Sequence, residues 1–288
     1  MKIRQIFQKL MLQEDLNFLL TNRIPRITLT RFMGWWSQIR HPWVVQSSMA
    51  VWRMFSDLDL SEAKSQKFDS LHACFTRELR PGARVVNPDP TFMTSPCDAI
   101  VGACGTIKQG QVFQAKGFSY QLETLLGSSP RGQHWPAVLE GGTYLTLRLT
   151  SSMYHRFHAP DDVQLQHVTY ISGDTWNVNP VALARVQELF CKNERAVLHM
   201  KTQEGVPFLI VPVAAVLVAS MRAFMRSMCC SICATRAPMK CPVTPITPRA
   251  KKWAGLSTAP PFWSLFPKAL LWQMASRRVS RFEWDGLC

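Results

Sequence analysis

Acidic side chains are scarce in this chain: 19 Asp and Glu stand against 33 Lys and Arg, a formal net charge of +14. That balance suits an anionic partner, either acidic phospholipid or nucleic acid, and it speaks of association rather than fold. Zinc-finger, helix-turn-helix and RNA-binding signatures are all missing, so nucleic acid has only net charge in its favour. Long apolar runs are missing too. No stretch reaches the roughly 20 consecutive apolar residues of a spanning helix. The uncharged run 206–221 is interrupted by Pro207 and Pro212 and reads as two buried strands. No cleavable signal peptide opens the sequence, and Cys74, Cys97, Cys104 and Cys191 are scattered singly with no disulfide framework before residue 222. The setting therefore reads as reducing and cytoplasmic.

What is present is an ordinary globular composition, 47% hydrophobic and 18% charged, which excludes disorder throughout and suits a protein that touches a membrane. The charge is unevenly spread. Residues 222–288 hold eleven Lys or Arg against only Glu283 and Asp285, so +9 of the +14 lies in this last quarter. The same segment holds seven prolines and four tryptophans, and lacks a clear strand or helix period. Cys230-x-x-Cys233 with Cys241 is a coordinating pattern, but it has no fourth spaced ligand, and no metal is expected.

Residues 1–20 place Ile3, Phe7, Leu10, Met11, Leu16, Leu19 and Leu20 near helical spacing between Lys2, Arg4 and Lys9, an amphipathic helix with basic flanks. It fits a helix packed on its own domain and one lying on a bilayer equally well. Residues 28–55 mix Trp35, Trp36, Trp43 and Trp52 with Arg31, Arg40 and Arg53, a combination that fits the headgroup layer. Phe68, Leu71, Phe75 and Leu79 form a helical stripe ending at Arg80-Pro81-Gly82. From residue 90 the pattern changes to short apolar runs, with strands predicted over 99–105, 111–115, 143–149, 163–171 and 196–200. A short helix or loop is predicted over 120–127. The fold class is α+β: a helical, membrane-associating part (1–85), a β-rich catalytic domain (86–221) and an irregular, poorly folded tail (222–288).

The chemistry concentrates in Tyr154-His155-Arg156-Phe157-His158-Ala159-Pro160 and Ser95-Pro96-Cys97-Asp98-Ala99-Ile100-Val101-Gly102. Two histidines three apart, held between an aromatic and a proline, form a fixed donor/acceptor pair, and a lone aspartate at a proline turn can orient one of them. Pattern alone also fits buried, hydrogen-bonded structural residues.

These words, together with Gln114-Ala115-Lys116-Gly117-Phe118-Ser119-Tyr120, Gly173-Asp174, Asn177-Val178-Asn179 and Asn193-Glu194-Arg195, occur in the order and spacing of bacterial phosphatidylserine decarboxylases, which the chain resembles over residues 28–221. The resemblance implies a proenzyme that cuts itself before a serine in a glycine-serine-threonine motif and turns that serine into a pyruvoyl group. The pyruvoyl carbonyl forms a Schiff base with phosphatidylserine and accepts electrons as carbon dioxide leaves, giving phosphatidylethanolamine. It further implies that Asp98 and His158 form the self-cleaving triad with the serine, that His155 sits near the reacting carboxyl group as a proton donor, and that no external cofactor or metal is needed. The implied place is the cytoplasmic face of the bacterial inner membrane, as a homo-oligomer or as an α/β subunit pair after cleavage.

The serine is where the sequence departs from that family. The nearest match is Gly255-Leu256-Ser257-Thr258, with leucine inserted before the candidate nucleophile and pyruvoyl precursor Ser257. Leucine adopts positive φ only at a cost, so self-processing at Ser257 is expected to be impaired. The tail also reads as an out-of-frame translation. Codons for Ala269-Leu270-Leu271-Trp272-Gln273-Met274, constrained by the single codons of Trp272 and Met274, can give glycine-phenylalanine-threonine-leucine-alanine-aspartate one nucleotide earlier. Besides an impaired decarboxylase, the sequence admits a catalytically inactive membrane-binding relative, and more weakly a basic nucleic-acid-binding protein.

Overall fold

In the computed structural model, backbone and side chains are described for residues 13–85, 93–113, 118–127 and 133–219, and the backbone alone for 221–225, 228–232 and 252–256. The expected helix over residues 1–12, the Gln114–Gly117 part of one motif, Ser257, and the side chains of Cys230, Cys233 and Cys241 lie outside the described residues.

Four helices come first: α1 (Glu14–Asn22), α2 (Arg26–Trp36), α3 (Pro42–Phe55) and the short α4 (Leu71–Phe75). Pro42 suits the first turn of α3, where a missing N–H costs nothing. Its buried residues Val45, Ser48, Met49 and Trp52 recur at the i, i+3, i+4, i+7 spacing of one helix face. The stripe expected over Phe68 to Leu79 gives helix only at Leu71–Phe75. Ser70 starts it by accepting from the Ala73 N–H, and the segment beyond Thr76 turns away to bridge Leu79 to Ala63.

The strands follow the predicted runs closely. β1 (Ile100–Thr106) pairs antiparallel with β4 (Thr143–Arg148), and β2 (Gln111–Phe113) pairs with β3 (Ser119–Gln121). β6 (Val163–Ile171), β7 (Arg195–Thr202) and β8 (Pro207–Ile210) form a three-stranded antiparallel sheet. Short helices α5 (Leu122–Leu126), α6 (Trp135–Leu139), α7 (Pro180–Arg185) and α8 (Leu189–Lys192) fill the connections. The run 206–221 supplies one strand rather than two. After β8, a tight turn at Ala215–Val218 with Leu217 at φ 68 hands the chain onward, and the Leu217 N–H is satisfied by the Thr30 hydroxyl at 2.9 Å on α2.

The basic tail, expected to be irregular, contains three described strands: β9 (Met221–Met225), β10 (Met228–Ile232) and β11 (Lys252–Leu256). They form a sheet with β5 (Arg156–His158) in the order β10-β9-β11-β5. Backbone pairing needs no side-chain period, which is why the composition gave no sign of it.

One apolar core draws on both sides of residue 85. Val45, Met49, Trp52 and Phe75 from the helices pack with Leu145, Leu147, Leu198 and Phe208 from the strands. Polar contacts fasten the same join. Asn179 Nδ2 donates to the Asn17 side-chain Oδ1 at 2.9 Å, the Asn177 N–H to Asn22 Oδ1 at 3.1 Å, and Arg26 binds Asp174 with two nitrogens while its guanidinium lies 3.9 Å from the Trp176 ring centroid. Gly173 beside this join is required: a Cβ there would sit 2.6 Å from the Lys192 carbonyl oxygen. Cys104 is disulfide-bonded, a correction to the single, unpaired thiols expected before residue 222; no described cysteine before residue 222 partners it, so no spacing in that region could have announced the bond.

Candidate active site

The histidine motif lies on and just before β5. Strand alternation turns Phe157 inward, where it is 1% exposed, and leaves Arg156 and His158 half-buried. Arg156 fixes the strand by donating from Nε to the Thr76 carbonyl at 2.6 Å and through an ion pair with Glu78 at 2.8 Å.

His155 is buried beneath this strand. Its ring lies against Phe75, centroids 4.0 Å apart, and Nδ1 is 2.8 Å from the Met153 carbonyl oxygen. A carbonyl can only accept, so Nδ1 carries the proton and Nε2 is the basic nitrogen of the neutral ring. His158 faces Tyr154: the rings stack at 5.7 Å and the Tyr154 hydroxyl is hydrogen-bonded to His158 Nε2 at 3.1 Å. Burial, with smaller contributions from the charges of Asp98 and Glu78, pushes the Tyr154 hydroxyl up to about 12, so at neutral pH it stays protonated.

Asp98 lies on the neighbouring segment, which runs beside β5 through two backbone bonds, His158 N–H to Pro96 O and Thr94 N–H to Pro160 O, each 2.8 Å. The structure thus brings the aspartate and histidine segments together. Among the described residues, however, the carboxylate of Asp98 meets Arg84 rather than His158. Arg84 Nε donates to Oδ1 at 2.8 Å and a terminal nitrogen donates to Oδ2 at 2.5 Å. The hydrogen bond to Asp98, helped by Glu62, holds the Arg84 guanidinium firmly charged.

Asp98, Arg84, Tyr154, Arg77, Glu62 and Asp59 are among the residues lining a cavity of about 230 Å³. Cys97 beside it is no nucleophile at neutral pH, because burial raises its thiol far above the ordinary range. Burial likewise pushes Cys74 up to about 12.

The approach to Ser257 is placed by β11, which lies antiparallel to β5 with Lys252 opposite His158, Ala254 opposite Phe157 and Gly255 opposite Arg156. On its other edge Leu256 pairs with Met221 of β9. Leu256 therefore continues an extended strand.

Other motif residues serve the framework. Asn193 donates to the carbonyls of Trp176 and Ala214 and accepts from the Trp176 N–H. Arg195 is buried with its guanidinium donating to four carbonyls, those of Thr124, Leu125, Cys191 and Asn193, at 2.6–2.9 Å. This ties α5 and α8 to β7. Sequence reasoning missed the Arg84 clamp, because Arg84 stood only as a residue after a helix-stop signal; nothing in spacing alone links it to Asp98.

These features define a class: an α+β protein whose candidate site has a histidine-bearing strand paired with the strand that precedes Ser257. Comparison with known proteins gives the particular family. The family model described as phosphatidylserine decarboxylase matches residues 71–242, and the chain belongs to that family. The match continues past residue 221, the expected end of the resemblance read from the sequence. Proteins named phosphatidylserine decarboxylase proenzyme are similar: that of Stutzerimonas stutzeri is 35% identical over 69% of this chain and 66% of its own length, that of Azotobacter vinelandii 34% over 72% and 73%, and that of Methylococcus capsulatus 32% over 69% and 68%. The chain thus spans about two thirds of the length of these curated relatives.

Proposed function

We propose that this chain is a decarboxylase of phosphatidylserine by descent, acting peripherally on an anionic membrane surface, the cytoplasmic face of a bacterial inner membrane. Its self-processing at Ser257 is impaired by Leu256. In this reading His158 takes the hydroxyl proton of Ser257, Asp98 orients the imidazole, and His155 stands beside the reacting carboxyl group. The observation that carries it is the pairing of β11 with β5, which runs the chain before Ser257 along the histidine strand, with Lys252 opposite His158 and Gly255 opposite Arg156. With Nδ1–H committed to Met153, any proton that His155 delivers to substrate leaves from Nε2. A pyruvoyl group made from Ser257 supplies the electron sink for loss of carbon dioxide. The extended pairing of Leu256 supports the impairment, since cleavage calls for a glycine with freedom of φ directly before the nucleophile. After cleavage the product is an α/β subunit pair.

The membrane reading rests on the helices. α1 buries Asn17, Thr21 and Asn22 while leaving Leu19 and Leu20 about half exposed, the reverse of a core-facing helix. On α2 and α3, Trp35 is 62% and Trp43 79% exposed, with Phe32 and Ile27 also outside. Among the described residues no helix is long and apolar enough to cross a membrane. Such a surface also suits the second reading, a catalytically silent membrane-binding relative.

Two assays on the purified full chain separate these readings. Liposome flotation with and without anionic lipid, run beside a carbon dioxide release assay, is expected to show binding with weak but measurable decarboxylation. Binding with no release at any enzyme concentration favours the silent relative, and absence of binding overturns the membrane reading.

A further inference from the structure

The clamp on Asp98 has a second consequence. We propose that Arg84 is a positioning residue that competes with His158 for the carboxylate of Asp98, so that the aspartate has two alternative partners and the structure holds it on the reserve one. This rests on the reading of Asp98 as the partner of the His158 imidazole.

Four observations carry it. First, Arg84 takes both carboxylate oxygens in a fork, and its remaining nitrogen is anchored by Glu62 Oε2 at 2.8 Å and the Ala83 carbonyl at 2.7 Å, so the clamp is itself held in place. Second, the Arg84 and Asp98 side chains are 45% and 26% exposed, so solvent reaches the pair and can take the place of either partner as they part. Third, the backbone bonds from His158 to Pro96 and from Thr94 to Pro160 hold the segment that carries Asp98 beside the strand that carries His158. Fourth, Asp98, Arg84 and Tyr154 share the walls of the 230 Å³ cavity, which provides room for the movement.

The charged groups facing this space are few. Arg77 is buried and commits its guanidinium to the carbonyls of Cys74 and Ser152. Asp57, Asp59 and Glu62 line the cavity, and the Arg156–Glu78 pair flanks β5. Arg84 is the cation that binds Asp98 directly, which makes it the group whose removal redirects the carboxylate.

The test is a pH titration of the His158 ring by NMR on histidine-labelled full-length protein in four forms: unmodified, Arg84→Gln, Asp98→Asn, and the double variant. Loss of the fork alone is expected to raise the His158 midpoint by about one pH unit or more, the effect of gaining an adjacent carboxylate. That rise is expected to vanish when Asp98 is Asn. Arg84→Lys, which keeps the charge but loses the fork, is expected to shift the midpoint in the same direction. An equal rise with and without Asp98 would mean simple loss of a distant positive charge and overturns the proposal, as does no rise. Should Arg84→Gln fail to fold, Glu62→Gln loosens the anchor and is expected to give a smaller rise, again only when Asp98 is present. Failure of the decarboxylase reading shows separately, as self-cleavage and carbon dioxide release indifferent to Asp98→Asn.

Discussion

Tyr154 and His158 stack at 5.7 Å with their planes 22° apart, and the tyrosine hydroxyl bonds the imidazole Nε2 at 3.1 Å. Nε2, the nitrogen that in the proposed role accepts the serine proton, thus already has a hydroxyl partner, one that burial keeps protonated. Tyr154→Phe keeps the stack and removes the bond. It is expected to change stability by only about 1 kcal/mol, the net worth of one hydrogen bond. The His158 ring resonances are expected to shift clearly, and their comparison between the two forms is the check.

Arg195 replaces four separate caps with one side chain. Its guanidinium meets four carbonyls in a buried site, and burial lowers its basicity. Arg195→Met leaves those carbonyls unpaired and is expected to cost about 3 kcal/mol or more. Arg195→Lys cannot reproduce the planar fork and is expected to recover less than half of that. Urea midpoints of the three forms measure both.

Phe75 joins the core to the site, being fully buried and in ring contact with His155. Phe75→Ala is expected to cost about 3–5 kcal/mol through lost burial and the cavity left behind. Denaturant unfolding reads the loss, and Phe75→Leu is expected to restore most of it.

His199 gives the fold a pH dependence. Burial, with neighbouring His167 adding to it, lowers its ring to about 4, while it holds Thr169 at 3.1 Å. An unfolded histidine titrates near 6.5, so between these values the unfolded chain binds the extra proton. The contribution is therefore fully present above pH 6.5 and is lost as pH falls toward 4, by roughly 3 kcal/mol in all. His199→Gln is expected to flatten the unfolding free energy across that window relative to the parent, as seen in urea unfolding at pH 7, 5.5 and 4.5.

The aromatic helix face predicts a lipid effect without a folding effect. Replacing Trp35 and Trp43 together by Ala removes two highly exposed rings. Flotation with anionic liposomes is expected to fall several-fold while the melting temperature stays within a few degrees.

Much of this architecture is legible in the residues. β6 begins and ends at the predicted positions 163 and 171, because a strand period leaves a repeating trace. Trp52, expected with Trp35, Trp36 and Trp43 in the headgroup layer, is instead fully buried in the apolar core, because it lies on the same face of α3 as Val45 and Met49. The helix expected through Leu79 stops at Phe75 because tertiary pairing with Ala63 takes the later residues. β11 left no trace, being fixed by backbone partners on β5 and β9. Of the site, the neighbourhood of the Asp98 and His158 segments was legible in motif order, whereas the partner that Asp98 chooses was not. A side-chain fork from Arg84, fourteen residues away, has no period to reveal it.

The central proposal is that His158 activates Ser257 and that Leu256 obstructs it. Intact-mass spectrometry of the purified chain, of a deletion of Leu256 that joins Gly255 to Ser257, and of that deletion combined with His158→Ala tests it most directly. The account predicts a mostly uncut species near 32.8 kDa for the chain as it stands. It predicts a raised fraction of a large fragment plus a small carbonyl-bearing one for the deletion, and a return to the uncut species when His158 is also lost. Clean cutting of the unmodified chain, no cutting of the deletion, or cutting indifferent to His158→Ala would contradict it.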